Sequence, residues 1–176
     1  ITKIFKKVKL AWDNFPQPLK DALGLTASTD NRNELAFNNG SSIRVALSSR
    51  SDTVNWLHIS EFGKICRKYP QKAEEIITGA IPSVPTDGRI DIESTAEGEF
   101  GLFYDMFWLA YDKDNKGSVP EAKKMFKGFF YPWCNEPEYS LKGKFDISEK
   151  LRSYQLLHNL SNEQINWYMV EQMTLK

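Results

Sequence analysis

The sequence predicts an α/β fold: a mostly parallel sheet with helices on both faces, a three-layer α/β/α sandwich. Three apolar runs of strand length, "VNWLHIS", "RIDIES" and "KGFFYPW", alternate with amphipathic stretches of helical period. That order calls for right-handed crossovers and covered sheet faces. Two of the runs end in chemically capable residues, Ser60-Glu61 and Glu93-Ser94-Thr95. In parallel sheets ligands gather at the carboxyl ends of the strands. With 176 residues, 41% of them hydrophobic and 13% aromatic, the chain can bury one ordinary core, with room for a small appendage.

The elements follow in order. Ile1, Ile4, Phe5, Val8 and Trp12 recur at helical spacing with lysines between them, and Pro16 and Pro18 stop the helix. In "ELAFNNGSSIRVAL", Leu35 and Phe37 alternate on one arm and Ile43, Val45 and Leu47 on the other. Asn39-Gly40 between them can supply the positive φ angles of a tight hairpin turn. The polar loop "SSRSDT" leads into "VNWLHIS". After Glu61 comes a short helical stretch, then Pro70 at a first-turn position and a helix with Ala73, Ile76, Ile77 and Ala80 inward. "IPSVPTDG" is a loop before "RIDIES". "GEFGLFYDMFWLAYD" is a helix facing inward with Phe103, Phe107, Ala110 and Tyr111. A solvated loop, "DKDNKGSVPEA", precedes the third apolar run. Two helices close the chain, the first capped by Ser148 and the second by a capping box of Ser161 and Gln164.

Composition excludes several classes. Acidic and basic residues balance at 23 each, so net charge gives no argument for nucleic acid or membrane binding. Cys66, Cys134, His58 and His158 are scattered without zinc spacing, which favours free thiols in a reducing cytosol. No apolar run approaches the roughly 18 residues needed to span a bilayer, and there is no secretory pattern. "DKDNKG" superficially suggests a calcium loop, but Lys116 and Lys123 stand at its fifth and twelfth positions, which argues against it. His58 reads more simply as a buried, hydrogen-bonded histidine than as a catalytic one. The lysines of the first helix read as a solvated face. Trp167 and Tyr168 read as packing residues. Glu61 carries two readings: a solvated carboxylate favoured at a helix start, or a water-orienting base beside a γ-phosphate.

Taken together, "SSRSDTVNWLHISEFGKI", "GAIPSVPTDGRIDIESTAEGEFGLFYDMFWLA" and "FFYPW" resemble the ATPase domain of terminase large subunits, the DNA-packaging motors of tailed bacteriophages and prophages. The resemblance implies a partial P-loop NTPase-like sandwich. "LHISE" then corresponds to the Walker B strand, with Glu61 the catalytic carboxylate and Ser60 where an aspartate normally helps to hold magnesium. "ESTAEG" corresponds to the coupling motif, which assigns Ser94 and Thr95 to sensing the hydrolysed phosphate. Arg50 corresponds to an arginine finger acting on a neighbouring subunit, although Ser51 follows it where the family often has glycine.

No G-x-x-x-x-G-K-[ST] phosphate loop occurs in these 176 residues. The resemblance implies that this loop lies upstream, and the Ile start is read as that of a piece of something longer. Residues 1–142 are then expected to be the second part of the ATPase domain, and 143–176 a helical linker toward a nuclease domain. The implied cofactors are ATP and Mg2+, with none expected bound to these residues alone. The implied partners are double-stranded DNA, a portal protein, a small terminase subunit and further copies of the chain, in the cytoplasm of a bacterial host. A sheet lacking its phosphate-loop strand is expected to expose unpaired edges and to self-associate. The alternatives are a non-enzymatic protein- or DNA-interaction module, or another P-loop DNA motor.

Overall fold

A computed structural model describes residues 2–46, 53–111 and 126–174. The chain divides into two compact units, Ile1–Met106 and Phe107–Lys176.

The first unit opens with helix α1 (Thr2–Asp13), which turns Phe5, 2% exposed, toward the core. Helix α2 (Gln17–Leu23) begins just after Pro16 and ends on Gly24 in the left-handed region. Lys20 lies over the Trp12 ring at 4.4 Å, tying the two helices together. Strands β1 (Ala27–Asp30), β2 (Glu34–Phe37) and β3 (Ser42–Arg44) form an antiparallel sheet in that order. The pairing Leu35↔Ile43 matches the expected hairpin, and Leu35 is its buried anchor at 1% exposure. The turn differs from the expected two-residue form. Gly40 alone has positive φ (84°), and its N–H donates to Phe37 O, the pattern of a three-residue loop ending in a left-handed glycine. Strand β1 was not foreseen, because "ASTD" has no apolar alternation to announce it. Leu47 lies outside the described residues.

Strand β4 (Trp56–Ile59) pairs in parallel with β5 (Arg89–Ile92), in the register Trp56↔Arg89 through Ile59↔Ile92. Between them run helices α3 (Phe62–Lys68) and α4 (Pro70–Glu75). Pro70 occupies the first turn, as its position predicts. The expected helix through Ala80 is interrupted: Ile76–Ala80 widens into a π turn and Ile81–Ser83 tightens into a 3-10 turn. The Thr78 hydroxyl donates to Glu74 O at 2.7 Å, competing with the backbone ladder where Gly79 also weakens the helix. Ala73, Ile76, Ala80 and Ile81 remain buried.

The expected three-layer, mostly parallel sandwich is not what the chain forms. The described residues are mainly helical, with one small antiparallel sheet and a separate parallel pair. Two causes are visible. In β4 and β5 apolar and polar residues alternate: Leu57, Ile59, Ile90 and Ile92 turn inward, while Trp56, His58 and Arg89 are exposed. Such a pair is built for one covered face, whereas a parallel sandwich needs two. The third expected strand is also missing. Residues 126–132 are irregular; Gly128 donates its N–H to Ala110 O, and Phe129, Phe130 and Tyr131 are exposed.

The second unit gathers aromatic rings. Helix α5 (Leu102–Ala110) leads into it with Phe107 stacked on Tyr111 at 5.1 Å. Helix α6 (Glu149–Leu157) starts on Ser148, whose hydroxyl accepts from Leu151 N–H. Helix α7 (Asn162–Thr174) starts on the predicted capping box: Ser161 N–H donates to Gln164 Oε1 at 2.8 Å, and Gln164 N–H to Ser161 Oγ at 3.2 Å. Trp167 and Tyr168 pack as their spacing suggests, Trp167 on Tyr139 and Trp133, Tyr168 on Trp133 and Tyr154. Asn166, 2% exposed, uses its amide to hold Leu141 O and Gly143 O. No helix among the described residues is long and apolar enough to cross a membrane.

Candidate functional site

The site is the carboxyl edge of the β4–β5 pair. Because the strands are parallel and in register, the chain leaves both at the same end, and Ser60-Glu61 and Glu93-Ser94-Thr95 emerge side by side. Backbone bonds close this edge. Glu93 N–H donates to Ile59 O at 3.0 Å, and Phe62 N–H returns to Glu93 O at 3.1 Å.

Glu61 sits in the turn between β4 and α3 with φ 56° and ψ 38°. A left-handed conformation costs a non-glycine residue about 1–2 kcal/mol. Glu61 and Asn159 are the non-glycine residues described with positive φ, and asparagine tolerates that region far better than glutamate. The conformation turns the chain sharply out of the strand, so Glu61 is exposed while the next residue, Phe62, is fully buried. The Phe62 ring meets the edge of Phe103 at 6.2 Å.

Ser94 faces α3. Its Oγ accepts the Gly63 N–H at 3.0 Å, satisfying one of the orphan donors of the first helical turn. A Cβ at position 63 would lie 2.9 Å from Ser94 Oγ, 3.1 Å from the Phe103 ring and 3.3 Å from Thr95 O. Glycine is therefore what lets α3 approach the strand end. Thr95 and Ser60 are exposed. At the other end of α3, Arg67 Nη1 reaches Glu97 Oε2 at 3.1 Å. Cys66, on the same helix, is a free, half-buried thiol. Burial pushes its pKa up, and backbone hydrogen bonding at Phe103 works in the opposite direction.

The exposed face of the pair is polar. The Trp56 indole N–H donates to Asp91 Oδ2 at 2.6 Å, and the Arg89 guanidinium donates to both Asp91 oxygens while lying over the Trp56 ring. The Arg89 and Trp56 hydrogen bonds hold the Asp91 carboxyl below its ordinary value. His58 lies on this face with its side chain 54% exposed, 3.7 Å from Glu93. It is not the buried histidine the sequence suggested; alternation along β4 places it opposite the covered residues.

Glu61, Ser60, Ser94 and Thr95 thus converge on one edge, and Arg50 lies outside the described residues. Sequence reasoning missed Gly63, Arg67 and Glu97. The small residue two places after Glu61 was the available signal for Gly63, whereas nothing local pairs Arg67 with Glu97. No cluster of three His, Cys, Asp or Glu able to hold a metal occurs among the described residues, and Ser60 brings no charge. The sequence contains no G-x-x-x-x-G-K-[ST] phosphate loop. No family model, curated protein or solved structure matches the chain.

Proposed function

We propose that these residues form the acid-bearing edge of an ATP-hydrolysing motor that drives double-stranded DNA into a viral procapsid. That is the activity implied by the likeness to terminase large subunits. The observation that carries the proposal is Glu61. A carboxylate held in a costly left-handed turn, exposed at the carboxyl end of a strand, suits a reacting group better than a solubilising one. Beside it, Ser94 accepts from Gly63 and donates to no acceptor among the described residues, leaving its proton for an anionic oxygen.

In this account Glu61 orients the attacking water and takes its proton as the water oxygen bonds to the γ-phosphorus. The bond from that phosphorus to the bridging oxygen breaks, and ADP leaves. Ser94 and Thr95 respond to the phosphate oxygens, and Arg50 acts on a neighbouring copy's nucleotide. Such hydrolysis needs a phosphate cradle of the kind that a G-x-x-x-x-G-K-[ST] loop supplies, which these residues do not contain. The partners would be DNA, a portal, a small subunit and further copies, in the bacterial cytoplasm.

The test is ATP hydrolysis by a polypeptide that joins these residues to a phosphate-binding loop. Glu61→Gln should lower turnover by about 100-fold or more, the scale of a lost general base. Turnover within threefold of wild type would remove Glu61 from the chemistry. A second reading, a non-enzymatic interaction module, is favoured by the exposed Phe129, Phe130 and Tyr131, of which Tyr131 is 80% exposed. Absence of ATP binding by that longer polypeptide, measured by calorimetry, would select it.

A further inference from the structure

We propose that Arg67 and Glu97 are positioning residues for Glu61, an inference that rests on the catalytic reading of Glu61 above. Helix α3 is clasped to the segment after β5 at both ends. Its first turn is held by Phe62 N–H to Glu93 O and Gly63 N–H to Ser94 Oγ. Its last turn is held by Arg67 to Glu97, at 3.1 Å.

The first pair of bonds and the buried Phe62 ring, set edge-on to Phe103, fix where the helix starts. Arg67 lies four residues on, about 6 Å along the axis, so the ion pair supplies the second point that defines a direction. Glu97 suits the task because its side chain is only 20% exposed, against 60% for Arg67. The shielded carboxylate therefore keeps its partner better than a fully solvated one would. Glu61 is the residue immediately before this helix, in a left-handed turn, so the direction of α3 governs where its carboxylate is placed. The segment 93–97 thus carries Ser94 and, through Arg67, sets where the acid stands.

Amide hydrogen exchange followed by NMR on residues 1–176 reads this directly. Arg67→Gln and Glu97→Gln should each speed exchange at Phe62 and Gly63 about three- to fivefold, the scale of a partly exposed ion pair. Exchange in β2 should not change. Arg67→Lys should restore part of the protection, and the charge swap Arg67→Glu with Glu97→Arg most of it. Rates at Phe62 and Gly63 within 1.5-fold of wild type in the single variants, or a swap that restores nothing, would overturn the role. In the ATP-hydrolysing polypeptide the same Gln variants should lower kcat and leave the KM for ATP unchanged; a raised KM with unchanged kcat would also overturn it. A Glu61→Gln variant that still hydrolyses ATP would remove the catalytic reading instead, whatever the exchange rates show.

Discussion

The two sheets of the first unit are held by opposite means. The antiparallel sheet is stitched by its own turns. The Asn31 side chain accepts from Asn33 and Glu34 N–H, Asn39 accepts from Ser41, and Asn38 ties its loop to Gly24 and Thr26. The parallel pair has no such local help. Its strands are separated by two helices and a loop, and its closing bonds join distant residues: Val54 to Ser83, Arg89 to Asn55, Phe62 to Glu93. Local turn chemistry gives an inexpensive sheet with relaxed ends. The non-local pair ends in a strained glutamate and a tightly approached glycine, which is where function is expected to draw on stability.

The sharpest break comes from the anchor of the parallel pair. Phe62 is fully buried, and Phe62→Ala should destabilise the chain by about 3–5 kcal/mol in urea denaturation. A cost below about 1 kcal/mol would mean that the ring does not hold α3 to the sheet. The glycines separate the two regions next. Gly63→Ala should cost about 1–3 kcal/mol, because the new methyl meets the Thr95 backbone and the Phe103 ring. Gly40→Ala should cost about 1 kcal/mol from its positive φ alone, since nothing lies within 4 Å of the added atom. A Gly63→Ala cost below that of Gly40→Ala would contradict the difference drawn between the sheets.

A smaller effect is set by pH. Asp91 is held below its unfolded value of 3.8, so its contribution is complete above that value and is lost as pH falls through the lower folded value. Trp56→Phe removes one of the two donors and should shrink this acid-side loss of stability. An unchanged pH profile would show that Arg89 alone sets the carboxyl.

What the sequence disclosed follows the same division. The hairpin, the Pro70 helix start, the Ser148 cap and the Ser161–Gln164 box were legible because each is written within a few residues. The convergence of Glu61 with Ser94 and Thr95 was legible from the two strand ends. The sandwich expectation fails because "WLHI" and "RIDI", though hydrophobic enough for core strands, alternate in the pattern of half-covered ones. "FFYPW" has the composition of a strand and no strand to pair with among the described residues. Composition cannot supply a partner. The Arg67–Glu97 pair joins residues that no sequence period relates.

The central claim is that Glu61 keeps a carboxylate where the backbone would prefer glycine. The most direct measurement compares the unfolding free energies of Glu61→Gly and Glu61→Gln. Both remove the charge that favours a helix start, and only the first relieves the backbone. Glu61→Gly should be the more stable by about 1 kcal/mol. Equal stability, or a more stable Glu61→Gln, would contradict the account and leave Glu61 an ordinary surface acid.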